Sequence, residues 1–101
     1  MPMMLLPPEP HVVGWTFLTN HAHVLIAISR NPELRQSDIS YAVGITQGAV
    51  RRIIHELEES GYIETERIGR RNRYKVNGNQ PLRHPLEDQH TVADLITSLD
   101  Q

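Results

Sequence analysis

The chain has no cysteine among its 101 residues. That excludes disulfides, thiolate metal sites and a cysteine nucleophile, and it fits a reducing compartment. Large aromatics are scarce as well: there is one tryptophan and one phenylalanine, Trp15 and Phe17. No apolar run approaches the roughly 20 residues that cross a bilayer, so no membrane partner is expected. The start, MPMMLLPPEP, lacks a basic stretch and is broken by proline, a poor secretory signal; the expected location is the cytoplasm. Catalytic signatures are missing too. There is no phosphate-cradling glycine loop, no HExxH and no nucleophile elbow. The acid pair Glu58-Glu59 lies on an ordinary charged helix face. Neither an enzyme nor a cofactor is expected.

An excess of positive charge is also absent, since the formal net charge is −2. The distribution matters more than this total for docking on phosphates. Arg67, Arg70, Arg71, Arg73 and Lys75 fall within nine positions that contain no acid, and Arg51 and Arg52 lie upstream. The acids gather at Glu56, Glu58 and Glu59 and towards the C-terminus. The length suits one domain with a modest core and little stability to spare, so burial against a partner chain is plausible.

Four of the seven prolines fall in residues 1–10, which therefore read as a flexible arm. Residues 11–78 read as the domain proper. A first helix is expected from Thr19 or Asn20, capped there, with Val24, Leu25 and Ile28 as its buried stripe and Asn31-Pro32 as its end. A second helix is expected over 36–43, with Ile39, Ala42 and Val43 apolar and Asp38 favouring its N-terminal end; Arg35 is a poor cap. Gly44 suits the left-handed residue after that helix. Thr46 caps a third helix, in which Val50, Ile53, Ile54 and Leu57 form one stripe at i, i+3, i+4, i+7. The second and third helices are thus joined by about three residues, a helix-turn-helix spacing. Tyr62 to Arg67 reads as a strand, Ile68 to Asn72 as a turn, and Arg73 to Val76 as the returning strand. In residues 79–101, a helix from Leu86 or Thr91 to Leu99 repeats the stripe with Val92, Leu95, Ile96 and Leu99.

The fold class is therefore mainly α with a small β-hairpin (α+β). The run DISYAVGITQGAVRRIIHELEESGYI followed by ETERIGRRNRYKV resembles the winged helix-turn-helix domain of bacterial and archaeal transcription regulators, close to the MarR and ArsR groups. The resemblance covers Asn20 to Val76. It rests on Ala42, the turn Gly44, Ala49 on the recognition helix and the Gly61-Tyr62-Ile63 exit. It implies a third helix that enters the major groove of DNA with the hairpin, or wing, beside it.

The residues support that expectation independently. With the stripe facing the core, the third helix turns Gln47, Gly48, Arg51, Arg52 and His55 outward. Gln and Arg can contact adenine and guanine edges in bidentate fashion, and Gly48 lets the backbone approach closely. Thr46 and the helix N-terminus suit a phosphate. In the wing, Arg67, Arg70, Arg71, Asn72 and Arg73 would meet phosphates or the minor groove. Gln36 and Ser37, at the start of the second helix, are candidate backbone contacts. A plainer reading pairs Arg51 and Arg52 with Glu56 or Glu58 on a solvated surface and makes the wing a charged, solubilising hairpin.

Trp15 and Phe17, as the only large aromatics of their kind, should anchor either the core or a subunit contact. The stripe Val92, Leu95, Ile96 and Leu99 needs a surface to cover it, and a second copy of the chain is the natural one. The expected assembly is a homodimer on two half-sites about one helical turn apart. His21 and His23 do not share a helix face, and His84 and His90 flank a proline turn, so no metal site is expected. No sensor domain is visible; a small-molecule effector, if there is one, would bind at the dimer interface. The alternative from another class is a winged-helix protein-interaction module that never touches DNA. The acidic total and the acid-rich end of the third helix keep it open.

Overall fold

A computed structural model describes residues 14–100 of the chain. The arm expected over residues 1–10 lies outside the described residues. The element order is α1 (Asn20–Arg30), α2 (Gln36–Val43), α3 (Gln47–Glu59), β1 (Ile63–Ile68), β2 (Arg71–Val76) and α4 (Val92–Leu99).

Local chemistry explains each boundary. The Thr19 hydroxyl accepts the Ala22 N–H at the start of α1, and Asn31 ends that helix before Pro32. At α2 the Arg35 side chain offers no acceptor; instead the Asp38 carboxylate reaches back to the Arg35 N–H at 3.1 Å, satisfying one of the orphan donors of the first turn. Gly44, at φ 88°, closes α2 in the left-handed conformation, which costs glycine nothing. The Ser40 hydroxyl donates to the Ile45 carbonyl across this turn. Thr46 then caps α3 by accepting the Ala49 N–H at 3.0 Å.

The core lies where the three helices meet the base of the wing. It joins Val24, Leu25 and Ile28 of α1, Ile39 of α2 and Val50, Ile53, Ile54 and Leu57 of α3 to Tyr62, Ile63, Tyr74 and Val92. Full burial of such side chains stabilises by about 1.5–3 kcal/mol each before ordering entropy is charged. Of the apolar side expected for α2, Ile39 is buried and Val43 half-buried, whereas Ala42 is exposed.

The wing differs from its expected form. Its strands run Ile63–Ile68 and Arg71–Val76, antiparallel, with Ile68 opposite Arg71. The turn is therefore two residues long, Gly69-Arg70, and Arg71 and Asn72 belong to β2 rather than to the turn. Gly69 at φ 61° is the one turn residue with positive φ, which fits a II′-type hairpin with glycine first. The register also changes the charge map. Glu64 stands opposite Lys75 and Glu66 opposite Arg73, so the acid-free window of the sequence faces acids across the ladder.

The tail is fastened to the wing base through Tyr62 and folded back on itself. The Tyr62 hydroxyl donates to the Pro81 carbonyl at 2.6 Å, Val92 N–H to Gln80 O at 2.9 Å and Ala93 N–H to Gly78 O at 3.0 Å. The final helix starts at Val92, not Leu86. Thr91 caps it, and Asp94 completes the reciprocal box. Asp94 is held below the ordinary carboxylate range by the Thr91 backbone N–H first and by His90 beside it. Val92 is 1% exposed in the chain's own core, so the four-residue stripe is divided: Val92 is used internally, Leu95 and Ile96 are half-buried, and Leu99 is exposed.

Candidate nucleic-acid interface

The amphipathic division of α3 positions the site. Its buried stripe fixes the helix against α1 and β1, which leaves Gln47, Gly48, Arg51, Arg52 and His55 exposed, with Thr46 exposed at the cap. Gly48 has open space around it. A Cβ built there would meet nothing nearer than the Thr46 hydroxyl at 3.9 Å. The chain's own packing therefore does not require glycine in this helix, where glycine is costly.

The outward cations are not equivalent. The Arg51 side chain has no hydrogen bond or ion pair to any other described residue. Arg52 lies 3.7 Å from the Glu56 carboxylate one turn on, and His55 3.6 Å from that of Glu59. Glu56 is also hydrogen-bonded to His21 of α1, Nε2 to Oε1, at 2.7 Å. That hydrogen bond, with the charges of Arg52 and His55 beside it, holds the Glu56 carboxyl below its ordinary range. The plainer reading thus applies to Arg52 and not to Arg51. Exposed pairs of this kind contribute little and leave Arg52 able to exchange partners.

In the wing, Arg70 sits on the two-residue turn, exposed and with no partner among the described residues. Arg67 folds back on that turn, its Nε donating to Gly69 O at 3.2 Å. Arg71 and Arg73 reach the link between α1 and α2: Arg71 donates to the Glu33 carbonyl at 2.8 Å, and Arg73 lies 3.8 Å from the Glu33 carboxylate. Sequence reasoning missed Glu33, which is 38 and 40 positions away and carries no motif. Asn72 and Gln36 are half-buried and Ser37 is exposed.

A second surface lies between α1, the end of α3 and the tail. It is an apolar groove of about 1290 Å³, lined among others by Phe17, Leu25, Leu57, Leu82, Leu86, Val92 and Leu95. At its edge Trp15 and Phe17 form an edge-to-face pair with ring centroids 4.9 Å apart, and they are 72% and 91% exposed. They do not anchor this chain's core. Among the described residues, no group of three or more His, Asp or Glu could hold a metal ion, and no helix is long and apolar enough to cross a membrane.

Comparison with known proteins agrees with this architecture. An uncharacterized protein of Methanocaldococcus jannaschii is 36% identical over 66 residues, which is 64% of this chain and 14% of that protein. The chain thus matches only a small part of that relative's length. Among solved structures, MepR, a transcription regulator of the Staphylococcus aureus multidrug efflux pump MepA, superposes with a TM-score of 0.51 at 20% identity. The superposition covers 79% of this chain and 55% of MepR; at that identity it bears on the fold, the winged helix. The MarR family model matches residues 15–73, from the exposed aromatic pair to Arg73 of the wing, and the chain belongs to the MarR family.

Proposed function

We propose that the chain is a sequence-specific DNA-binding transcriptional regulator that acts as a homodimer. The observation that carries this is the outward face of α3. Gln47, Arg51 and Arg52 are base-reading residue types, Arg51 has no partner among the described residues, and the open space at Gly48 lets backbone approach a groove. In this reading α3 enters the major groove, Thr46 and the α3 N-terminus meet a phosphate, and Gln36 and Ser37 touch the backbone. The wing, with Arg67, Arg70, Arg71, Asn72 and Arg73, lies on the flanking backbone or in the minor groove. Membership of the MarR family and the likeness to a transcription regulator support it. The exposed Trp15–Phe17 pair, the groove beside it and the open end of the Leu95, Ile96, Leu99 stripe support a second copy as the partner that covers them.

The test is selection of bound sequences from a random duplex pool, followed by titration of the selected duplex at several salt concentrations. Recovered sites should be two-fold related, with half-sites about one helical turn apart, and affinity should fall steeply with salt. Arg51→Ala combined with Arg70→Ala should abolish selective binding. No binding even at low salt would leave the protein-interaction module as the function of this fold.

A further inference from the structure

The base of the wing packs into the helical core through Ile63 and Tyr74, and Thr65 is hydrogen-bonded to Glu58 of α3. The wing's arginines reach the helix-turn-helix at the Pro32–Glu33 link that leads into α2. Three contacts meet there. Tyr74 N–H donates to Pro32 O at 2.9 Å, the Arg71 guanidinium donates to Glu33 O at 2.8 Å, and Arg73 lies 3.8 Å from the Glu33 carboxylate. The link is held from its other side as well, because the Asn31 side chain accepts the Glu33 N–H at 3.1 Å. Arg73 also faces Glu66 across the ladder. Two of the wing's basic residues thus have acceptors inside the chain, and Arg67 has one in its own turn. Arg70 and Lys75 have no side-chain partner among the described residues; Lys75 faces Glu64 across the ladder, whereas Arg70 lies on the turn with no acid opposite it.

We infer that Arg71 and Arg73 are positioning residues that clasp the wing to the Pro32–Glu33 link, and that Arg70 makes the wing's phosphate contact. This rests on the DNA-binding reading and sharpens it, because it divides a run of like residues into two jobs. A guanidinium is suited to the first job, since its rigid fork of donors can serve a carbonyl or a carboxylate without changing charge. Holding β2 against the link that launches α2 keeps the wing tip at a constant offset from the recognition helix. That offset determines whether both can engage one duplex.

The experiment is DNA titration over a range of salt concentrations, paired with amide exchange in the free protein. Arg70→Ala should lower the slope of log affinity against log salt by about 0.9, the value for one phosphate contact, and leave exchange at the Tyr74 amide unchanged. Arg71→Gln and Arg73→Gln should leave the slope unchanged. Both should speed exchange at the Tyr74 amide about two- to fivefold, the range set by an exposed pair. In a Glu33→Gln background, Arg73→Gln should affect exchange less than it does in the unsubstituted chain, as a shared contact requires, with only the Glu66 neighbour across the ladder left to lose. A slope loss of about 0.9 for Arg73→Gln that persists in the Glu33→Gln background would make Arg73 a phosphate contact and overturn the inference. If the unsubstituted chain binds no DNA, the DNA reading fails and Arg70's role with it. The clasp is still decided by Tyr74 exchange, and unchanged exchange in both arginine variants would refute it.

Discussion

His21 on the first helix and Glu56 on the third helix are hydrogen-bonded at 2.7 Å across 35 positions of sequence. The contact ties the outer ends of α1 and α3 together, and Glu56 also faces Arg52 at 3.7 Å. One carboxylate therefore serves both the bracing of the helix and the balance of charge on its outward face.

A pH dependence follows. Glu56 is shifted below its ordinary value of 4.5, by the His21 hydrogen bond first and by the charges of Arg52 and His55 as well. A carboxyl whose folded value lies below its unfolded one adds stability that is complete above the unfolded value. That stability is lost as pH falls through the folded value. Urea midpoints of the unsubstituted chain and of Glu56→Gln should therefore differ near neutral pH and converge as pH drops below about 4. The difference should be small, because both side chains are largely exposed. A gap that does not depend on pH would mean that Glu56 acts by packing alone.

Substitution at Gly48 can separate fold stability from DNA binding. A helical glycine costs about 0.5–1 kcal/mol relative to alanine, and a Cβ here meets nothing closer than 3.9 Å. Gly48 is the second residue of α3, so Gly48→Ala should raise fold stability by at most about that mid-helix amount in chemical denaturation. If the backbone approaches a groove at this point, the same substitution should weaken DNA binding. A variant that is both more stable and fully competent in binding would remove Gly48 from the interface.

Much of the fold was legible because its determinants are local. The Thr46 cap, the Gly44 turn and the Val50, Ile53, Ile54, Leu57 stripe are set by residues within one or two turns of each other. The outward position of Arg51 follows from that stripe. The wing was harder. Its second strand alternates arginine with asparagine, tyrosine and lysine, so nothing apolar marks where pairing begins, and Arg71 and Asn72 read as turn. The partners of Arg73 were out of reach for the same reason, since Glu66 is placed by strand register and Glu33 by the docking of the wing. The tail exposes another limit. A periodic stripe says that a helix buries a face but not against which chain, and Val92 turned out to face its own core.

That division of the tail yields a prediction about assembly. Val92 is 1% exposed and Leu99 36%, so substitutions along one stripe should separate stability from association. Val92→Ala should cost roughly 1–3 kcal/mol of fold stability through lost burial and the cavity left behind. Leu99→Glu, and Trp15→Ser combined with Phe17→Ser, alter exposed side chains and should leave the unfolding of the monomer nearly unchanged. If a second copy covers this surface, these exposed variants should sediment as monomers at concentrations where the unsubstituted chain sediments as a dimer. A dimer that survives both sets of substitutions would place the interface on another face of the molecule, and the groove beside Phe17 would then lie open in the assembly.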